Sequence, residues 1–433
     1  MLYRKIEKYI VNHLQSESNK ILIVDGARQI GKSYIIREVG KKLFPNYIEV
    51  NMETDKLGDR TFADAKTMDD FYLALSTVAG DRMKDKNNTL VFIDEIQAYD
   101  HLLTLLKFLR EDDKFTYIAS GSLLGVTLKT TSSIPLGSII IKHMYPLDFE
   151  EFLIANSVGQ LLLDTIRKKY AARESMPEAI HNKLLDLFKK YLLVGGLPDA
   201  VNEFLATKNI TNIRTIQNEI LSNYAGDFSK HAPAQEVPRI DMVWQSILGQ
   251  LSKENKKFVY GVLKKGGRAK EFELAIQWLV DAGLVYKITK VTKPELPLKF
   301  YEDLSAFKLY LCDCGLMGAM ADTAAKDVLL GDNVFTEYKG AFTEQYVLQQ
   351  LLASGINHIY YYSSDTSRME MDFLVQCNGA LLPIEVKGGT SIKATSLHNY
   401  LMEHPDISAI RYSMLPYRQQ ENITNMPLYG VLL

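Results

Sequence analysis

Cysteine is nearly missing from this chain, and so is any excess of charge. Three cysteines in 433 residues, Cys312, Cys314 and Cys377, cannot build a disulfide framework or, unaided, a four-ligand zinc site. Cys312-Asp313-Cys314 closes an apolar strand, which predicts reduced, partly buried thiols. The 50 basic residues almost cancel the 52 acidic ones, leaving a formal net charge of −2. No global field therefore draws the chain onto nucleic acid, and any such contact must rest on a local patch. No apolar run reaches the length of a bilayer span, so no membrane partner is expected. The opening residues, Met1-Leu2-Tyr3-Arg4-Lys5-Ile6-Glu7-Lys8, are charged and helix-like and not a signal peptide, which makes the cytoplasm the expected compartment. Low-complexity linkers, charge runs and internal repeats are missing too. What remains is an ordinary globular composition, 47% hydrophobic and 24% charged. At this length one core is not enough, so about two to four domains are expected.

The most informative segment is Gly26-Ala27-Arg28-Gln29-Ile30-Gly31-Lys32-Ser33. It follows the apolar run Ile21-Leu22-Ile23-Val24 and fits the phosphate-loop pattern G-x-x-x-x-G-K-[ST] in its required setting, a buried strand turning into a helix. Gly26 and Gly31 let the backbone wrap so that its N–H groups face phosphate oxygens, and the helix opening at Gly31 adds the positive end of its dipole. Lys32 then reaches the β- and γ-phosphates, and the Ser33 hydroxyl takes a place on Mg²⁺. A second apolar strand, Thr89-Leu90-Val91-Phe92-Ile93, ends in Asp94-Glu95. Asp94 suits a further Mg²⁺ contact, and Glu95 is placed to polarise a water against the γ-phosphate. A glutamate there favours hydrolysis of ATP over phosphate transfer.

Strands near 20–25, 47–51, 89–94, 115–119 and 138–142 alternate with helical stretches such as 68–75 and 102–109, so residues 1–144 predict a parallel sheet covered by helices. After the strand ending at Ala119, Ser120-Gly121-Ser122 supplies small polar groups; Ser122 is a candidate contact to the γ-phosphate or its water, and a plain turn is the competing reading. Residues 145–232 turn helical, beginning with a Pro-started helix in Tyr145-Pro146-Leu147-Asp148-Phe149-Glu150-Glu151-Phe152-Leu153. In Val194-Gly195-Gly196-Leu197-Pro198 two glycines and a proline mark either a lid over the adenine or a helix–helix corner. Residues 233–325 look like a winged helix, with helices near 241–251, 258–263 and 272–280 and strands near 284–289 and 307–311. Lys256, Lys257, Lys264, Lys265, Arg268 and Lys270 surround its reading helix and suit phosphate contacts, although Glu271, Glu273 and Asp281 dilute them and such modules also bind proteins.

Residues 326–433 carry a second constellation. Glu344 lies on a helix; Asp372 lies in the strand Met371–Val375; and after an Asn378-Gly379 turn the chain returns as Leu381-Leu382-Pro383-Ile384-Glu385-Val386-Lys387. On neighbouring antiparallel strands Asp372 and Glu385 can converge on one Mg²⁺ with the Val386 carbonyl, Glu344 can add a ligand, and Lys387 can steady the phosphate under attack. A hairpin with exposed alternating charges is the bland alternative.

The order phosphate loop, D-E-I-Q, S-G-S, Y-P-L-D-F-E-E-F, G-G-L-P, winged helix and D-F-L…I-E-V-K resembles a large prokaryotic family of AAA-type ATPases ending in a restriction-endonuclease-like PD-(D/E)XK domain. The resemblance spans essentially the whole chain. It implies an α/β fold with a P-loop core, a helical lid whose Gly196-Leu197-Pro198 turn approaches the adenine, and a nuclease-like C-terminal domain. The partners it implies are ATP with Mg²⁺ and DNA, with assembly into a homo-oligomer left open. One departure stands out: where many relatives carry a basic residue, this chain has Gly137-Ser138. If that basic residue serves hydrolysis, hydrolysis here is either slow or draws on another arginine, with Arg28, Arg60 and Arg110 as unranked candidates. The competing class is a nucleotide-controlled switch whose C-terminal fold only binds nucleic acid or protein.

Overall fold

The computed structural model describes residues 2–18, 20–130, 137–253, 256–322, 336–364, 369–377, 379–390 and 394–431. It separates into two compact units, Tyr3–Tyr145 with Asp281–Leu284, and Pro146–Val280 with Val285–Leu433.

The first unit is built on five parallel strands: β1 (Ile21–Asp25), β2 (Asn46–Asn51), β3 (Thr89–Asp94), β4 (Thr116–Gly121) and β5 (Ile139–His143), in the spatial order β2-β3-β4-β1-β5. All six residues of β3 are buried, as a central strand covered on both faces requires. Parallel neighbours need crossovers, and the helices Lys32–Leu43, Met68–Ala79 and Asp100–Asp112 lie between successive strands in the chain. Thr67 and Asp70 close a capping box at the start of Met68–Ala79, which fixes where that helix begins. Phe62, Phe71, Leu75, Leu102, Leu106 and Phe115 pack against Val91 and Ile93 from the sheet. β4 is threaded between β1 and β3, pairing Leu22 with Ile118 on one side and Leu90 with Thr116 on the other. That order decides which residues meet at the carboxyl ends of the strands.

The second unit begins helical. The helix expected from Pro146 starts instead at Phe149, because Asp148 and Glu151 form a reciprocal capping box that sets its first turn. The glycine pair after the helix Glu178–Val194 forms a corner leading into the helix Pro198–Thr207. A Cβ on Gly195 would lie 2.1 Å from Asp313 Oδ1, and one on Gly196 would lie 2.1 Å from the Leu147 carbonyl oxygen. Asp313 is fully buried, as are Cys312 and Cys314 on either side of it, so these thiols are deeper than the sequence suggested. Burial pushes both thiols up and Asp313 above the usual carboxylate range, while amide bonds from Gly196 and Leu316 pull the aspartate back.

The rest of this unit centres on an eight-stranded sheet. Its strands are β6 (Val285–Val291), β7 (Glu302–Leu311), β8 (Ile359–Ser363), β9 (Glu370–Cys377), β10 (Ala380–Val386), β11 (Ala409–Ser413), β12 (Arg418–Gln420) and β13 (Ile423–Pro427), in the order β12-β13-β11-β10-β9-β8-β6-β7. The helices Val237–Leu251, Tyr260–Leu263 and Ala269–Asp281 precede β6 in the segment read as a winged helix. The β6–β7 pair, whose strands were expected to belong to the winged helix, continues into the C-terminal sheet, since β6 runs parallel to β8 through Lys290 and Tyr361. The boundary expected at 325/326 lies outside the described residues, as does Asn378 of the β9–β10 turn; Gly379, at φ 77°, supplies the left-handed backbone there.

Asp313 Oδ2 accepts from the Gly196 amide at 2.7 Å and from Gln349 Nε2 at 3.3 Å, while Oδ1 accepts from the Leu316 amide at 3.0 Å. In Asp313→Asn one oxygen becomes a donor, so a buried N–H loses its acceptor at a cost of about 1–3 kcal/mol. Urea denaturation of this variant should show a lower midpoint with an unchanged slope. A wild-type midpoint would mean that the carboxylate does not pin the corner.

Candidate functional site

The phosphate loop leaves β1 at Asp25. Gly26 has φ 136° and Gly31 φ 92°, both in the region that favours glycine. A Cβ at Gly26 would also lie 2.3 Å from the Met144 carbonyl oxygen, so the loop has room for nothing larger. Gly31 stands at the N-cap of the helix Lys32–Leu43 without a side-chain cap, which leaves the helix start open to an anion. Lys32 is buried, and its ammonium donates to the carbonyls of Gly26 at 2.9 Å and Ala27 at 2.7 Å. Burial lowers its pKa to about 8, against the opposing pull of Glu95, Asp94 and Asp25. Gln29 has a left-handed backbone and Ile30 is fully buried, its carbonyl held by Arg4 Nη1 at 2.7 Å.

Asp94 ends β3 as a buried carboxylate surrounded by donors. Ser33 Oγ lies 2.8 Å from its Oδ1, Ser120 donates to the same oxygen, and Asn51 Nδ2 lies 2.8 Å from Oδ2. Mg²⁺ is a hard cation that takes oxygen ligands, and the Ser33 hydroxyl and Asp94 carboxylate bring such ligands to one point from two elements. The pair fits that ion. Glu95, the next residue, has φ 52°, a left-handed conformation that is costly for a side chain with a Cβ. Its carboxylate is held by Ser122 Oγ at 2.6 Å, the Ser122 amide at 3.2 Å and Gln97 Nε2 at 2.5 Å. Because β4 lies beside β3, Ser120 meets Asp94 and Ser122 meets Glu95. Asn51 was not singled out from the sequence, and Ser120, named within Ser120-Gly121-Ser122, was not linked to Asp94: both roles depend on strand order.

The three candidate arginines fall in different places. Arg28 belongs to the phosphate loop and pairs with Glu53 at 3.0 Å. Arg60 sits at a left-handed turn after the helix Met52–Leu57. Arg110 reaches Ser138 Oγ at 3.3 Å, and the Ser138 carbonyl accepts from the Ile21 amide at the amino end of β1. A guanidinium therefore stands beside position 138, but at the end of β1 opposite the phosphate loop. Gly196 and Pro198 are engaged within the second unit, at the corner described above.

The C-terminal constellation comes together on β9 and β10. The register that pairs Phe373 with Ile384 puts Asp372 opposite Glu385 on the same sheet face. Glu344 approaches from the helix Thr336–Ala353 and takes a hydrogen bond from Asp372. Asp372 Oδ2 accepts from the Val386 amide at 2.8 Å, so it is the Val386 N–H that engages the carboxylate. Lys387, just past β10, pairs with Glu385 at 2.5 Å. Two further lysines were not anticipated as partners: Lys256 forms a buried ion pair with Glu344, and Lys308 bonds Glu370 at 3.3 Å. Burial, then the charges of Glu344 and Glu385, push Asp372 well above the usual carboxylate range. Burial also raises Glu385 against the pull of Lys387. For Glu344 burial acts upward, but Lys256 and Lys308 outweigh it and hold the group low. Among the described residues no group of three His, Cys, Asp or Glu side chains is arranged to hold a metal ion. As it stands, the cluster does not fit a metal, because its carboxylates are satisfied by lysines and a backbone amide.

Residues 18–153 match the family model described as an AAA domain, AAA_14. Residues 185–327 and 339–429 match two models described as domains of unknown function, DUF8612 and DUF4143. Among solved structures the chain is similar to the Walker-type ATPase of Pyrococcus abyssi, at 14% identity and a TM-score of 0.47, over 74% of this chain and 96% of that one. Weaker likenesses are to AMPPCP-bound DnaA from Aquifex aeolicus (10% identity, TM-score 0.30, 65% of this chain and 90% of that one) and to the RuvB Holliday junction branch migration motor of Thermotoga maritima (12%, 0.28, 66% and 89%). No curated protein matches the chain. The phosphate loop lies near the start of the matched segment 18–153 and Asp94-Glu95 at its centre, and the match to an AAA domain supports ATP binding there.

Proposed function

We propose that this chain hydrolyses ATP at the first unit, with Glu95 as the base. The observation that carries this reading is the division of labour at the end of β3: Asp94 faces Ser33, while Glu95, one residue on, is turned by its left-handed backbone toward Ser122 and Gln97. Mg²⁺, when bound by Ser33 and Asp94, would neutralise charge on the β- and γ-phosphates. The triphosphate takes the Lys32 ammonium from the Gly26 and Ala27 carbonyls, and the new charge contacts restore the proton that burial disfavours. Ser122 and Gln97 keep the Glu95 carboxylate in an accepting orientation. Glu95 then takes a proton from the attacking water as the γ-phosphorus–oxygen bond to ADP breaks.

Lys32→Ala should weaken ATP binding by about tenfold or more, since charge-assisted bonds to phosphate are roughly twice as strong as neutral ones. Calorimetry that finds unchanged affinity would remove Lys32 from the site. Glu95→Gln should keep ATP affinity near wild type and lower turnover by about 10²-fold or more, the scale of a positioned base. A variant that turns over ATP normally, or that no longer binds it, rules out this role.

A second reading concerns the C-terminal sheet: a DNA nuclease using Glu344, Asp372, Glu385 and Lys387. It is favoured by the placement of Asp372 and Glu385 opposite one another on one face, with Glu344 hydrogen-bonded to Asp372. The exposed Lys257, Lys264, Lys265, Arg268 and Lys270 offer a surface for the phosphate backbone. Plasmid incubated with the protein, Mg²⁺ and ATP should be nicked, and Asp372→Asn should lower the rate by about 10²-fold or more. Intact plasmid with the wild type would leave the domain as a binding module under nucleotide control.

A further inference from the structure

The lysine in the carboxylate cluster with no local reason to be there is Lys256. It lies 88 residues before its partner Glu344, on the segment between the helices Val237–Leu251 and Tyr260–Leu263. Glu344, Asp372 and Glu385 come from the helix Thr336–Ala353, β9 and β10. The other two lysines are fixed by their strands: Lys387 follows β10 directly, and its amide donates to the Tyr412 carbonyl at 2.8 Å, while Lys308 is a fully buried residue of β7. Lys256 belongs to no strand. It has φ 49°, a left-handed backbone disfavoured for a residue with a Cβ, and its neighbour Lys257 is exposed while its own side chain is 16% exposed. The chain thus bends unfavourably to deliver one ammonium into a pocket whose glutamate is only 2% exposed.

We propose that Lys256 is a plug that keeps a divalent cation out of the Glu344–Asp372–Glu385 cluster, so that the C-terminal domain rests in a metal-free form until this lysine is withdrawn. The proposal rests on the metal-dependent reading of that cluster. An ammonium and a divalent cation compete for the same carboxylate oxygens, and only one can be the near neighbour of Glu344. Tyr310, whose hydroxyl donates to Glu344 Oε2 at 3.2 Å, stays on the glutamate in either state. Withdrawal of Lys256 breaks no sheet pairing, whereas withdrawal of Lys308 would. Because the plugged state does not accept the ion, the apparent metal affinity falls by the fraction of molecules that are open.

The test is a Mn²⁺ titration of the nucleotide-free full chain as wild type and as Lys256→Gln, each with and without Asp372→Asn to mark the site. Lys256→Gln should gain a site at least about tenfold tighter than the wild type's, lost again on adding Asp372→Asn. A site of equal strength in both, sensitive to Asp372→Asn, overturns the plug and leaves the metal reading standing. No such site in any variant overturns the metal reading, and the plug with it. The wild type gives a second measurement should Lys256→Gln fail to fold. Acylation of its lysines should label Lys256 about tenfold more slowly than Lys257, and Mn²⁺ should speed labelling at Lys256 alone. Equal labelling of the two lysines without Mn²⁺ also overturns the plug.

Discussion

The insertion of β4 between β1 and β3 is the constraint on which the nucleotide site depends. If β1 and β3 were neighbours, the phosphate loop and Asp94 would leave no strand end between them. With β4 there, the helix after the loop still brings Ser33 to Asp94 at 2.8 Å, and the end of β4 contributes hydroxyls to both acidic residues. Ser120, inside β4, serves Asp94, and Ser122, one residue past the end of that strand, serves Glu95. The two carboxylates are adjacent in sequence yet face different partners, because the left-handed backbone at Glu95 breaks the strand alternation just past β3. Neighbouring acids with separate surroundings can take separate tasks, one at the ion and one at the water.

The second unit solves a harder problem, several carboxylates buried together. Three buried acids, Glu344, Asp372 and Glu385, with the partly exposed Glu370 beside them, face three lysines, Lys256, Lys308 and Lys387. The remaining imbalance is absorbed by Asp372, whose carboxyl is pushed well above its usual range and donates to Glu344. Removing one lysine from such a set leaves an uncompensated buried charge, which is worse than never having had the pair. The cluster is therefore balanced as a whole, with the three ammonium groups and the Asp372 proton offsetting the same negative charge.

How legible each part was from the sequence follows its range along the chain. The phosphate loop is a contiguous segment whose glycines, lysine and serine each have a local reason, and Asp94-Glu95 announces itself at the end of a run of apolar residues. The α/β fold and the five strands of the first unit were readable for the same cause, a strict alternation of strand and helix signals. The role of Asn51 and the pairing of Ser120 with Asp94 were not, because each acts on a residue brought close only by sheet order. The start of the helix at Phe149 was missed by weighing Pro146 above the Asp148–Glu151 capping box, a stronger local signal. Glu344, Asp372, Glu385 and Lys387 could be listed from the sequence, and the face shared by Asp372 and Glu385 followed from hairpin alternation. Lys256 could not be connected to them, since nothing in a charge cluster near a turn reveals an ion pair formed across 88 residues.

Both constellations share a property that sets how their affinities will behave. In each, the groups a ligand would engage are already bonded within the protein: Lys32 to Gly26 and Ala27, Asp94 to Ser33, Ser120 and Asn51, Glu344 to Lys256. A desolvated charge left unpartnered costs far more than a satisfied one, so the resting protein cannot simply hold these groups ready. Binding is then an exchange of partners, and its free energy is the difference between the bonds formed and those given up. For the phosphate loop the exchange favours the ligand, since two carbonyl contacts to Lys32 are replaced by contacts with a multiply charged phosphate. For the Glu344 cluster the bond that an entering cation would displace is itself a buried ion pair, so less would be gained by such an exchange. An exchange with so little surplus is the physical condition for control, and it is the condition the proposed plug at Lys256 would use.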